Sequence, residues 1–397
     1  MKTFFRIVIA LILVVLLLGV YFFRFADELI QYRGGDGKVV FGYDRAQRKW
    51  LFNEYQRYTL GMDGPHIFYQ DSSLSQINTQ AGKDSFIRTR LPAAQMGPVN
   101  CRPQDTSVRP FTFFLKSLRL SPSVYPELPP KLLAISDIEG NVAAFVKLLR
   151  GNSVIDSQYN WIFGQGHLVL VGDFMDRGID VLPCLYLIYK LEQEAELAGG
   201  QVHFILGNHE QMNLQGTATY VEPKYRELVR QLGIPYRELF STNTELGRWL
   251  RTKNCIEQIG DYLFLHAGIS RQVADLDLSL ESMNEICRKH LDVPTGELGE
   301  GSARQLLGRN GILWYRGMAA DHKGIPKQSA EEFSWIAGKL GVKTIVIGHT
   351  VADNIMTDYA GRLIRIDVHH AKDDPEALMI EDGQPYATDI RGKLRKL

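Results

Sequence analysis

Hydrophobic and polar positions along this chain fall into three textures. The first is an apolar run at 7–23, without a charge or strongly polar group, preceded by Lys2 and Arg6 and lengthened by Phe4 and Phe5. Roughly 17–25 such residues in a helix cross a hydrocarbon core of about 30 Å, whereas the apolar part of a cleaved leader has about 7–15. The segment YFFRFADE at 21–28 lacks the small-x-small pattern of a cleavage site, so the run predicts a retained membrane anchor within residues 1–30. Lys2 and Arg6 lie before the run, while Arg24 is offset by Asp27 and Glu28. The positive-inside rule then puts the N-terminus in the cytoplasm and the rest of the chain outside it, as in a single-pass protein of a bacterial inner membrane. The other long apolar stretch, 181–191, contains Pro183, Cys184 and Lys190 and reads as a buried helix.

The second texture, over 31–120, consists of short strand-like runs at 38–43, 65–69, 85–91 and 110–116 separated by Gly, Pro, Asn and Asp, and predicts a small β-rich region. Four prolines in SPSVYPELPP at 121–130 interrupt helix and central strand alike and predict a linker. The third texture begins at 131. Apolar strands at 131–136, 167–171, 202–206, 262–265, 344–347 and 363–366 alternate with amphipathic helices at 141–150, 181–197 and 224–232, the pattern of an α/β fold with a largely buried sheet. This domain is expected to span 131–370, leaving 371–397 as a C-terminal tail.

Composition narrows the class. Forty-five Lys and Arg balance forty-five Asp and Glu, and 45% of residues are hydrophobic. Such a chain folds, and it lacks the basic footprint of a nucleic-acid binder. Cys101, Cys184, Cys255 and Cys287 form no C-x-x-C pair and read as small buried hydrophobes.

The chemistry gathers where strands end. Asp137-Ile138-Glu139-Gly140-Asn141, Gly172-Asp173-Phe174-Met175-Asp176-Arg177-Gly178, Gly207-Asn208-His209-Glu210, His266-Ala267-Gly268 and Gly348-His349-Thr350 each follow a predicted strand. Loops beyond the carboxyl ends of strands in an α/β sheet converge on one crevice. Hard oxygens with imidazoles suit Mn, Fe, Zn or Mg rather than a thiolate metal. Each segment alone has an ordinary explanation as a helix cap or a turn, but five in order do not. His66, His167, His203, His290 and His322 lie outside this context and read as structural. Asp367-Val368-His369-His370 also follows a strand; of two readings, approach to the same site and a surface histidine pair, the surface pair is the favoured one.

On these residues the chain resembles the calcineurin-like metallophosphoesterase superfamily, and LVLVGDFMDRG and FILGNHE are its most specific runs. Within it, the Asp176-Arg177 pair, LWYRG at 313–317 and Gly348-His349-Thr350 resemble the bacterial Shewanella-like branch of the phosphoprotein phosphatases, over 131–369. The resemblance implies an αββα sandwich holding two divalent cations, manganese first among Mn, Mg, Fe and Zn. It also implies that Asp173 bridges them, that Asp137 and residue 139 complete one site, and that Asn208, His266 and His349 complete the other. His209 would protonate the leaving oxygen while Asp176 holds it, and Arg177 and Arg316 would grip the phosphoryl oxygens.

One residue departs from the pattern. Glu139 stands where the superfamily has histidine. If it ligates, two divalent cations face three carboxylates and a hydroxide, a formally neutral site with an alkaline-shifted profile and a preference for Mn or Mg. If it does not, one site is weak or empty. The leading expectation is a membrane-tethered phosphomonoesterase acting on Ser/Thr or Tyr phosphoproteins. The alternatives are cleavage of nucleotides or dinucleoside polyphosphates, and a non-catalytic binding protein with a degenerate site.

Overall fold

The computed structural model describes residues 11–16, 32–33, 39–44, 49–54, 58–80, 83, 85–92, 97–370 and 375–397. The chain forms two compact units, 1–58 and 59–397. In the first, Tyr32–Arg33, Val39–Asp44 and Lys49–Glu54 make an antiparallel three-stranded sheet. Of the apolar run at 7–23, residues 11–16 are helical with exposed side chains, and the remainder lies outside the described residues. Among the described residues no helix is long and apolar enough to cross a membrane.

The second unit carries the α/β fold. Its elements in chain order begin β1 (Lys131–Ile135), α1 (Val142–Gly151), β2 (His167–Val171), α2 (Val181–Ala198), β3 (Gln201–Ile205), α3 (Asn208–Leu214) and α4 (Pro223–Leu232). They continue with β4 (Ile256–Ile259), β5 (Tyr262–Leu265), β6 (Thr344–Ile347), β7 (Met356–Asp358), β8 (Leu363–Arg365), β9 (Ala377–Glu381), β10 (Gln384–Thr388) and β11 (Leu394–Lys396). One six-stranded sheet runs β3-β2-β1-β9-β10-β11; the other runs β7-β8-β6-β5-β4 and ends on Val124–Tyr125. β1, β2 and β3 are parallel, with Leu132 opposite His167 and His167 opposite Gln201.

Alternation along each strand explains the sandwich. Leu132, Ala134, Val169 and Val171 pack in one cluster with Phe264, Val346 and Ile364 of the other sheet. Leu133, Ile135, Leu168 and Leu170 point the other way, into a cluster with Phe145 of α1 and Leu185 of α2. Both faces of β1 and β2 are therefore buried, which is why they read as unbroken apolar runs. Each such Leu, Ile, Val or Phe side chain contributes about 1.5–3 kcal/mol on burial.

Two expected boundaries differ from the structure. The β-rich stretch after residue 58 is part of the same compact unit as the α/β fold, and the proline-rich segment does not divide them. α2 explains this, because it buries twelve of its eighteen residues, more than one sheet face can cover. Strands Asp63–Gln70, Ser73–Thr79, Val99–Cys101 and Phe111–Phe113 supply the outer cover, with Phe113 stacked on Tyr186 at 4.3 Å. Lys224 Nζ fixes the same region, 3.1 Å from Asp63 Oδ1 and donating to the Met62 carbonyl. Nor is 375–397 a tail: β9 pairs antiparallel with β1, Leu132 opposite Ile380, and buries Leu378 and Ile380 between the sheets.

Candidate active site

Five chain segments leave the strand ends and meet in one cavity of about 620 Å³, lined among others by Asp137, Glu139, Asp173, Arg177, Asn208, His209, Arg316, His349 and Asp367. Asp137, Asp173 and Asn208 follow β1, β2 and β3 of the first sheet, while His266, His349 and Asp367 follow β5, β6 and β8 of the second. The turns that aim these side chains are tight. Asp137, Glu139, Asp173, Asp176, Arg177 and His349 all have left-handed φ between 48° and 69°, a concentration of backbone strain that packed surroundings must hold. Gly207 is required at its position, because a Cβ would collide with the Asp173 carboxylate.

Asp173, His266 and His349 bring one ligand atom each within 4.8 Å of one another. Nδ1–H of His266 donates to the Val171 carbonyl at 2.8 Å. This leaves Nε2 facing Asp173 Oδ2 at 3.1 Å and Asn208 Oδ1 at 2.9 Å. Two oxygen acceptors around one imidazole nitrogen are the donor set of a hard divalent cation. His349 is oriented likewise: Nε2 lies 3.2 Å from the Trp314 carbonyl, and its backbone N–H donates to Asp137 Oδ2 at 3.1 Å.

The electrostatics ask for positive charge. Burial opposes ionisation of Asp173, but His266, then His209 and His349, outweigh it and hold its carboxyl well below the usual range. Burial pushes Asp137 up to about 6, and burial followed by the charge of Asp137 pushes Asp367 up to about 9. At His266 burial disfavours the charged ring, yet Asp173 outweighs it and raises the pKa to about 10. A divalent cation among these carboxylates would supply the missing charge.

Beside this group stands a second assembly. His209 Nδ1 lies 2.7 Å from Asp176 Oδ2, and its Nε2 lies 3.7 Å from Asp173 Oδ2. Burial lowers the His209 pKa, but Asp173 and Asp176 together raise it above the ordinary value. Asn213 Nδ2 donates to Asp176 Oδ1 at 2.9 Å, and Tyr236 OH donates to Asn213 Oδ1. Glu210, quoted in the sequence motif without a role, is fully buried. Its carboxylate accepts from the backbone N–H groups of Gly207, Asp173, Phe174 and Met175 at 2.7–3.1 Å. One side chain thus ties the loop carrying Asp173 and Asp176 to the helix carrying Asn208 and His209.

Both arginines reach the cavity. Arg316 Nη1 donates to the His349 carbonyl, while half-exposed Arg177 pairs with Glu139 Oε1. Asp105, from the β-rich segment, also lines the cavity, held by its backbone N–H donating to Asp180 Oδ2 at 2.9 Å. The surface-pair reading of His369 and His370 needs correcting. His369 is exposed, but His370 is buried, and its Nε2 donates to the Ser136 carbonyl at 2.7 Å. Sequence reasoning gave no role to Asp105, Glu210, Asn213 or Tyr220; of these, only Glu210 lay inside a recognised block.

The fold and this site define the class. Residues 130–353 match the calcineurin-like phosphoesterase family model, and the chain belongs to that family, one of metal-dependent phosphoric ester hydrolases. Among its relatives, Shewanella-like protein phosphatase 1 of Plasmodium berghei is 31% identical over 55% of this chain; the match spans 61% of that protein's length. Shewanella-like protein phosphatase 2 of Arabidopsis thaliana is 28% identical, over 67% of this chain and 76% of its own. The crystal structure of the cold-active protein-tyrosine phosphatase of a psychrophile Shewanella sp. superposes with a TM-score of 0.76 at 29% identity, covering 85% of this chain and 99% of that one.

Proposed function

We propose that this chain hydrolyses phosphomonoesters of phosphoproteins, with phosphotyrosine as the preferred class. The observation that carries the reading is the His209–Asp176 pair at 2.7 Å standing beside the Asp173, His266 and His349 group, with His209 Nε2 3.7 Å from Asp173 Oδ2. Asp137, Asp173, Asn208, His266 and His349 would hold two divalent cations. When bound, such a pair neutralises the phosphate and makes hydroxide available near neutral pH. His209, kept protonated and oriented by Asp176, gives its Nε2 proton to the departing oxygen. Arg177 and Arg316 bind the phosphoryl oxygens, for which a guanidinium fork suits better than an ammonium.

The aryl preference rests on Tyr220. Its ring is 49% exposed, 5.3 Å from the His209 ring and 5.7 Å from the Arg177 guanidinium. A substrate ring leaving from His209 meets an aromatic face there. The Shewanella protein of similar fold is a protein-tyrosine phosphatase, which supports the same preference. The test is turnover by the full chain, in detergent with Mn or Mg, of a phosphotyrosine peptide, a phosphoserine peptide, an aryl phosphate and a dinucleoside polyphosphate. Phosphotyrosine turned over fastest, with Tyr220→Ala narrowing its lead over phosphoserine, is the expected result. Turnover of the dinucleoside polyphosphate alone, or of nothing, overturns the reading. We also propose that the 7–23 run tethers the enzyme to the membrane; extraction by alkaline carbonate would refute it.

A further inference from the structure

Two acidic side chains compete for one role. Glu139 sits where a metal-binding histidine is expected, near enough to matter: its carboxylate and ligand atoms of Asp173 and His209 all lie within 4.8 Å of one another. Its Oε1, however, is engaged by the Arg177 guanidinium, and its side chain is 21% exposed. Asp367 is the opposite case. It is 4% exposed and lines the same cavity, and its carboxylate makes no hydrogen bond or ion pair among the described residues. Its backbone is fixed, since its carbonyl accepts from the Ala352 N–H at 2.9 Å, and the preceding Ile366 N–H donates to the Ile347 carbonyl at 2.8 Å.

A carboxylate enclosed without a donor is costly unless it takes up a proton or a cation meets it. Asp367 also feels the charges of Asp137 and Asp173, which deepens that cost. Arg316, the arginine whose charge bears on Asp367, spends its Nη1 on the His349 carbonyl and Thr350 Oγ1. Resting on the two-cation reading above, we propose that Asp367, rather than Glu139, completes the metal site of Asp137 and Asp173, and that Glu139 positions Arg177 for the phosphate. The carboxylate count at the cations is then kept, while the residue in the histidine's place is released to hold a substrate-binding guanidinium. Asp367 is drawn from β8 of the second sheet, so both sheets supply this site.

Manganese binding tests this without reference to turnover. The full chain is stripped by chelation, and Mn(II) stoichiometry and affinity are measured by calorimetry together with the melting temperature of the stripped protein. Wild type is expected to bind two ions per chain. Asp367→Asn should keep one site and weaken the other by roughly 100-fold or more, beyond the loss typical of groups that merely orient a ligand. The melting temperature of the stripped variant shows whether it folds as stripped wild type does. Glu139→Gln should retain both ions within a few-fold while inorganic phosphate inhibits about tenfold less well, as expected for loss of one charge-assisted contact. Two ions of wild-type affinity in Asp367→Asn, or loss of an ion in Glu139→Gln, overturns the proposal, and the second arm decides alone if Asp367→Asn does not fold. Fewer than two ions in wild type would instead defeat the two-cation reading on which it rests.

Discussion

If His209 gives its proton to the leaving oxygen, the damage done by Asp176→Asn must depend on how badly that oxygen needs a proton. In the wild type the Asp176 carboxylate, 2.7 Å from His209 Nδ1, stabilises the charged ring. The amide of asparagine removes that charge and presents a donor to Nδ1 in place of an acceptor. A hydrogen bond to a charged group contributes about 1.5–3 kcal/mol, which is roughly 10- to 150-fold in rate. The assay is kcat across phosphate esters graded by leaving-group acidity, from p-nitrophenyl through phenyl to an alkyl ester. The nitrophenolate departs unaided, so its kcat should stay near wild type, while phenyl and alkyl esters should fall by the full factor and steepen the dependence on leaving-group acidity. His209→Asn should do the same more strongly. An equal loss with every ester would show that the dyad organises the pocket instead of delivering a proton, and would refute the mechanism.

Other outcomes follow from the same structure. Gly207→Ala places a methyl group against the Asp173 carboxylate and should weaken Mn binding while costing about 1–3 kcal/mol by overpacking, read by calorimetry and denaturant melts. Lys224→Met strips the buried Asp63 of the ammonium which, with His66, outweighs burial and holds its carboxyl at about 2. Breaking such a pair should cost roughly 3–5 kcal/mol, and unchanged unfolding would contradict the role given to this link. Burial holds His370 at about 4 against an ordinary 6.5. The folded ring therefore binds fewer protons than the unfolded one between those values, so its contribution is present above pH 6.5 and lost as pH falls towards 4. Between pH 7 and 4.5 this amounts to about 2.5 kcal/mol. His370→Gln, whose amide can still donate to Ser136, should lose that much less over the same interval in urea titrations.

The strand ends were legible because period and chemistry coincide there: an apolar run stops and a metal-binding residue type follows. Asp137, Asp173, Asn208, His209, His266 and His349 all come from that rule, and the structure brings them together. Glu210 was visible as a letter but not as a function, since it serves backbone N–H groups that have no signature in sequence. Asp367 follows a strand like the others, yet nothing in its neighbours distinguishes it from a capping acid; its enclosure does. The continuity of 59–120 with the α/β fold was hidden because prolines report where helix and strand stop, not where packing stops. Twelve buried positions on α2 carry that information, but only once one asks what could cover them.

Asp173 belongs to one sheet and His266 to the other, and they face each other at 3.1 Å. The reactive geometry is therefore measured across a seam whose width is set by Val169, Val171, Phe264 and Val346, none of which lines the cavity. Interiors transmit displacement because they are close-packed, and misplacement by about an ångström can cost a hundredfold in rate. Adaptation of such an enzyme to cold or heat can then be written into this apolar seam, changing the temperature at which the two halves of the site come into register while leaving every chemically active residue as it is.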